Sequence, residues 1–93
     1  MKLECPVKKR LKEARLKKGI SQKSLGILIR IDEFNASARM NQYETGKQIP
    51  DYFTLKKIAD VFNIPTAYFY AEDEKLADSL ANYYKEENVI LKN

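Results

Sequence analysis

The sequence predicts an all-α domain of short helices, and three observations predict it. Apolar residues recur three and four apart along most of the chain, which is the helical period. No stretch shows the strict apolar–polar alternation of a half-buried strand. Gly19, Gly46, Pro50 and Pro65 stand between the periodic segments, where they stop one helix or space the next.

Each element follows from local signals. Pro6 suits the first turn of a helix running to about residue 18, with Val7, Leu11 and Ala14 on one face and Gly19 as its stop. Ser21 reads as the N-cap of a second, short helix over about 22–29, with Leu25, Leu28 and Ile29 inward. Residues 30–35 have no clear period and read as a turn. A third helix starts at Ala36 or Ser37, presents Met40 and Tyr43 inward and runs to Glu44, and Gly46 ends it. Ile49 and Pro50 close a loop, and Asp51 caps a fourth helix to about residue 62 whose core stripe is Phe53, Leu55, Ile58, Ala59 and Phe62. A turn over 63–66 leads to one more short helix at 66–70. Glu72, Asp73 and Glu74 open a final helix, since negative charge suits an N-terminus, and Leu76, Leu80 and Tyr83 or Tyr84 form its apolar stripe. Five helices thus make a domain over 1–71 to which 72–93 adds an extra C-terminal helix and a tail. The tail from Asn88 to Asn93 is apolar enough to want a partner.

Composition excludes several function classes. Ninety-three residues support one core and a few kcal/mol of net stability. There is no histidine, which removes imidazole general bases, His-paired nucleophiles and nearly every zinc site. The single Cys5 closes no internal disulfide and builds no thiolate cluster; with no secretory leader, it suits a reducing cytoplasm. The longest apolar run falls far short of the roughly 18 residues of a membrane span. No nucleophile–base pair, phosphate-binding glycine loop or paired-carboxylate motif stands out, so no enzyme, no cofactor and no metal are expected. Glu72-Asp73-Glu74 resembles a cation site superficially, but a capped helix start explains it better.

The net charge of +4 is unevenly spread. Residues 1–47 carry twelve basic and five acidic side chains, whereas 48–93 carry five basic and eight acidic. A basic half on a small domain is the electrostatic footprint of a polyanion, although a solvated lysine-rich face has the same composition.

Two short helices joined by a turn, the second bearing Ser37, Arg39, Asn41 and Gln42, form the pattern of a helix-turn-helix. Gly26 lies inside helix 2, where glycine is disfavoured by about 1 kcal/mol against alanine, and its missing side chain lets helix 3 cross closely. On the polar face of helix 3, Gln42 suits adenine and Arg39 suits guanine through paired hydrogen bonds. Ser37 and Asn41 are short enough for a base edge or a phosphate, and Ala38 suits a thymine methyl.

The run from Arg10 to Gln22 (Arg-Leu-Lys-Glu-Ala-Arg-Leu-Lys-Lys-Gly-Ile-Ser-Gln), Leu25-Gly26, and the run from Met40 to Pro50 (Met-Asn-Gln-Tyr-Glu-Thr-Gly-Lys-Gln-Ile-Pro) closely resemble the phage-repressor-like (Xre/Cro-type) helix-turn-helix family. The stretch from Leu55 to Pro65 is similar to that family's fourth helix and following turn, so the resemblance covers about residues 8–70. It implies a lambda-repressor-like fold and a sequence-specific transcriptional regulator, usually a repressor, that binds double-stranded DNA as a homodimer on a palindromic operator. By position it implies base contacts from Ser37, Ala38, Arg39 and Gln42, to which the reading of the polar face adds Asn41. It implies that Gln22 touches a phosphate or buttresses a base contact from the start of helix 2 and that Lys47 contacts a phosphate, and the basic half adds Lys17, Lys18 and Lys23 to the phosphate set. It also implies a partly buried ion pair between Arg15 and Glu44. With Lys8 and Lys9 included, about five neutralised phosphates predict a log–log salt slope of about −4 to −5 per subunit.

The chain departs from the family pattern in one place. The segment between Ile29 and Ala36 exceeds the 3–4-residue turn of the simplest motif, and Asp32, Glu33 and Phe34 look inserted. Phe34 is expected to fold back onto the core. The rival reading is an antitoxin or protein-interaction module of the same fold that grips a protein partner through 72–93; its support is the acidic, aromatic segment 68–93, in which Tyr68, Phe69, Tyr70, Tyr83 and Tyr84 are interface-prone. The helix within 72–93 is equally a candidate dimer seam.

Overall fold

In the computed structural model, which describes residues 4–85, the chain folds as α1 Val7–Lys18, α2 Gln22–Leu28, α3 Ala36–Thr45, α4 Tyr52–Phe62, a 3-10 helix Thr66–Tyr70 and α5 Glu74–Ala81. The apolar tail over 88–93 lies outside the described residues. Among those residues there is no strand, and no helix is long and apolar enough to cross a membrane.

Local chemistry sets both ends of these helices. Three start on side-chain caps: Ser24 N–H donates to Ser21 Oγ at 3.0 Å, Thr54 N–H to Asp51 Oδ1 at 2.8 Å and Leu76 N–H to Asp73 Oδ2 at 2.9 Å. Each such cap typically contributes about 1 kcal/mol. Three helices also end alike. Gly19, Arg30 and Asn63 adopt left-handed backbone, at φ 68, 75 and 56°. The isoleucine after each donates its N–H to the carbonyl five residues back, Ile20 to Arg15 at 3.4 Å, Ile31 to Gly26 at 2.9 Å and Ile64 to Ala59 at 3.0 Å. All three isoleucines pack on the core, as expected when a turn of this kind is anchored by the residue after it. Arg30 does this without glycine's freedom, which costs on the order of 1 kcal/mol.

The α2–α3 hairpin depends on Gly26. A Cβ built there would lie 2.8 Å from Ala36 Cβ and 2.9 Å from Ala36 O, closer than real Cβ contacts come. The connection between the two helices is held by the backbone of Asp32, whose carbonyl accepts from Asn35 N–H at 3.1 Å and Ala36 N–H at 2.9 Å. Phe34 plays no part in it. Its side chain is 96% exposed, so the expected fold-back does not occur; Ile31, three residues earlier, packs against the core instead.

The core draws on every helix: Val7, Leu11 and Ala14 from α1, Leu25 from α2, Met40 and Tyr43 from α3, Leu55, Ile58, Ala59 and Phe62 from α4, Tyr68 and Phe69 from the 3-10 helix, and Ala77 from α5. Three stripes differ from the expected ones. In α2 Leu28 is 57% exposed, and Leu25 and Ile29 alone of the expected three are buried. Phe53 is 73% exposed and stacks edge-on against Tyr52 at the open end of α4, because the buried face runs through Leu55, Ile58, Ala59 and Phe62. In α5 the inward residues are Ala77, Leu80 and Ala81, while Leu76 faces out. At about 100° per residue, Ala77, Leu80 and Ala81 share one face and Leu76 flanks it.

Arg10 joins the two ends of the described chain. Its side chain is 1% exposed, and Nε donates to Ala71 O at 2.8 Å while Nη1 reaches Glu13 Oε2 at 2.9 Å and Glu74 Oε2 at 3.0 Å. Nη2 adds longer bonds to Glu72 O and Glu74 Oε1, both at 3.4 Å. Lys9 also pairs with Glu74. These contacts cross the 71/72 division and tie α5 to α1. The hydrogen bond to Glu74 raises the Arg10 guanidinium above its ordinary value. In return Arg10, and then Lys9, hold the Glu74 carboxyl down at about 2. Beside them, the Tyr68 hydroxyl donates to Glu13 Oε2 at 3.3 Å; burial, then the Glu13 charge, push it up to about 12.

Candidate nucleic-acid interface

Helix α3 is two-faced. Ala36, Met40, Tyr43 and Glu44 are buried. At about 100° per residue the opposite side is centred on Ala38, with Ser37, Asn41 and Thr45 on one flank and Gln42 and Arg39 on the other. Five of these six are exposed and Gln42 is half-buried. The structure therefore brings Ser37, Ala38, Arg39, Asn41 and Gln42 onto one solvent face of one helix. Thr45, on the same face, was not singled out in the sequence, although Ser37, Asn41 and Thr45 follow one another every four residues.

The N-terminal half of α2 and the middle of α1 border that face. Lys12, Ser21, Gln22, Lys23, Ser37, Asn41 and Thr45 line one open groove, with Arg15 and Glu44 in its floor. Lys23 stands at its edge with Glu33 3.6 Å away, both well exposed, so the pair adds little to stability. Lys47 follows Gly46 just beyond the end of α3 and is exposed. The other basic residues are elsewhere. Lys17 and Lys18 line a different cleft, against Phe62, Tyr68 and Asp78, Lys9 is paired with Glu74, and Lys8 lies over Gly46.

Arg15 and Glu44 meet beneath the groove. Arg15 Nε donates to Glu44 Oε2 at 2.6 Å and Nη2 to Glu44 Oε1 at 3.0 Å, with side-chain exposures of 12% and 3%. The remaining amino group, Nη1, donates to Ile20 O at 2.9 Å, so α1, the α1–α2 turn and α3 are pinned at one point. The hydrogen bond to Glu44 outweighs desolvation and raises the Arg15 guanidinium above its ordinary value. Gln22 Nε2 completes the cluster, donating to Glu44 Oε1 at 3.2 Å and to Asn41 Oδ1 at 3.3 Å. The only acidic residue of α3 is thus turned inward and neutralised.

Two contributors were not apparent in the sequence. Lys12 joins the groove because it lies one helical turn from Lys8 and three residues before Arg15. Arg10 is a structural clamp, and its signal was its spacing: it lies three residues after Val7 and four before Ala14, on the buried stripe of α1.

No group of histidine, cysteine and carboxylate side chains among the described residues is arranged to hold a metal ion. What the geometry defines is a helix-turn-helix: a short α2 capped at Ser21, a close crossing at Gly26, and an α3 whose outward face carries small and amide side chains. A helix-turn-helix family model matches residues 41–69, from within α3 to the 3-10 helix. The crystal structure of transcriptional regulator BswR is similar over 91% of each chain, at 39% identity and a TM-score of 0.76. No curated protein matches the sequence. The chain belongs to the phage-repressor-like (Xre/Cro-type) helix-turn-helix family, a family of DNA-binding regulators.

Proposed function

We propose that this protein is a sequence-specific transcriptional repressor that inserts α3 into the major groove of a palindromic operator as a homodimer. One observation carries the reading. The outward face of α3 presents Ser37, Ala38, Arg39, Asn41 and Gln42, all sized for base edges, while Glu44 is withdrawn and paired with Arg15. A carboxylate on that face would repel phosphate; its burial leaves the face neutral to basic. Likeness to a transcriptional regulator over nearly the whole chain supports the same reading.

In this reading Gln42, Arg39, Asn41, Ser37 and Ala38 contact bases, and Lys12, Lys23 and Lys47 contact phosphates around them. Lys17 and Lys18 leave the phosphate set because their cleft is shared with α5. The few base pairs read by one helix are too little to find a single site, so two copies bind inverted half-sites about one helical turn, roughly 34 Å, apart. Leu76 and Tyr83, exposed on the outer side of the C-terminal segment, supply an apolar seam between copies. A bound dimer represses by excluding other proteins from the same DNA.

Selection of bound sequences from random DNA tests this directly. The expected product is an inverted repeat with half-sites one turn apart. A single unpaired half-site removes the dimer from the reading, and no enrichment removes sequence-specific binding altogether.

A further inference from the structure

The hydrogen bonds beneath the groove do more than hold α1 to α3: they give the amides above them a direction. A carboxylate carries no proton and only accepts. The oxygen of Glu44 that faces Gln22 therefore meets the amide nitrogen of Gln22, as it does at 3.2 Å. The reversed amide would set two oxygens against each other. One N–H of Gln22 goes to Glu44, and the other goes to Asn41 Oδ1 at 3.3 Å. That bond in turn aims the Asn41 oxygen inward at Gln22 and its NH2 group outward. Neither Asn41 Nδ2 nor Gln22 Oε1 has a hydrogen-bond partner among the described residues.

An asparagine on a helix face normally has two amide orientations and presents either a donor or an acceptor to DNA. Here a buried, arginine-paired carboxylate two links away selects one. We infer that Glu44, through Gln22, fixes Asn41 as a hydrogen-bond donor toward the DNA, so that Asn41 reads a base edge offering an acceptor. The inference rests on the reading of α3 as the groove-facing helix and deepens it. In the major groove the acceptors are the N7 and O6 of guanine, the O4 of thymine and the N7 of adenine; cytosine offers only its amino donor. The contacted base is therefore guanine or thymine in preference to cytosine. Gln22 becomes a positioning residue: both of its amide protons are committed inside the protein, leaving its side chain no donor for a phosphate.

The chain of orientation runs through groups of unequal freedom. Arg15 clamps both Glu44 oxygens and is itself held by Ile20 O, so the carboxylate cannot rotate away. Gln22 is half-buried at the first turn of α2, and only Asn41, the last link, is exposed. Removing Gln22 leaves the Arg15–Glu44 pair intact and frees the Asn41 amide to turn over. That makes a leucine at position 22 a sharper probe than any change at Glu44, which risks the fold.

The experiment is selection from random DNA with the full chain as wild type, Asn41→Ala and Gln22→Leu, with unfolding measured on each. Asn41→Ala identifies the position Asn41 reads as the one whose preference it erases. On the strand that Asn41 contacts, the wild type is expected to favour guanine or thymine over cytosine at that position by about 10-fold, the equivalent of about 1.4 kcal/mol. Gln22→Leu is expected to cut this preference to within about twofold, with the unfolding midpoint held and the rest of the operator unchanged. An enriched operator whose Asn41-dependent position keeps its preference in Gln22→Leu overturns this inference alone, as does an operator unaltered by Asn41→Ala. A wild type that enriches no sequence overturns the reading of α3 and this inference together.

Discussion

Arg15 Nε lies 2.6 Å from Glu44 Oε2 in a two-point pair that is almost wholly withdrawn from solvent. The pair binds the middle of α1 to the last turn of α3, and its geometry separates what α3 does for the fold from what it does outside. Two residues earlier on the same helix, Gln42 points about 200° away, toward solvent.

Substitutions at these two positions should therefore have opposite effects. Glu44→Ala leaves the Arg15 charge buried without a partner, which typically costs about 3–5 kcal/mol of stability. The figure of under about 1 kcal/mol that applies to exposed pairs does not govern here, because both side chains are covered. Gln42→Ala should hold stability within about 0.5 kcal/mol, as a surface change does. It should cost about 1–3 kcal/mol of affinity for a selected DNA site. Thermal melts and salt-matched binding curves on both variants check this.

Deleting 72–93 should destabilise the domain as well as weaken DNA binding. The deletion removes buried Ala77 and Glu74, the ion-pair partner that crosses to Arg10 from α5. Arg10 would keep Ala71 O and Glu13 but lie largely uncovered. Chemical denaturation of the 1–71 fragment is the measurement. A fragment as stable as the full chain would make α5 an appendage serving only assembly.

Acid should weaken the α1–α5 contact. Hydrogen bonds from Arg10, then Lys9, hold Glu74 at about 2 in the folded chain against an ordinary value of 4.5. A carboxylate depressed by folding stabilises the folded state above its unfolded value, and the contribution fades as pH falls from about 4.5 toward 2. The exposed carboxylate keeps the effect modest. Denaturation of wild type and Glu74→Gln should differ at pH 7, with wild type the more stable, and the difference should vanish near pH 2.

The salt dependence should be shallower than total charge suggests. Lys9 is paired with Glu74 and Lys17 and Lys18 line another cleft, leaving Lys12, Lys23 and Lys47 around α3. Three neutralised phosphates give a log–log slope of about −3 per subunit, against the −4 to −5 expected when about five are neutralised by Lys8, Lys9, Lys17, Lys18, Lys23 and Lys47. Titrations at four or five salt concentrations measure it.

This contrast shows where the sequence was legible. Helix positions were readable because their signals are local: Ser21 and Asp51 as caps, Gly19 and Gly46 as stops, and the periodic apolar stripe of α4. Gly26 was readable because glycine inside a helix needs a reason, and Ala36 supplies it. Phe53 looked inward on residue type, although at about 100° per residue it lies roughly opposite the stripe of Leu55, Ile58, Ala59 and Phe62. Features that depend on which surfaces meet were not readable. Phe34 looked like core on residue type, but it is exposed and Ile31 is the residue of the turn that packs against the core. Lys17 and Lys18 looked like phosphate ligands on charge, yet α5 returns to lie beside them. The amide chain from Glu44 to Asn41 passes from α3 through Gln22 of α2 and back, and no spacing within either helix announces it.

The most direct test of the account is the ratio of affinities of the wild-type protein for its selected operator and for scrambled DNA of equal length, at one physiological salt concentration. Base readout by α3 in a dimer predicts an operator at least about 10³-fold tighter than the scrambled duplex. A ratio near one, with the protein folded and bound to both, would contradict it and leave only charge-driven attachment.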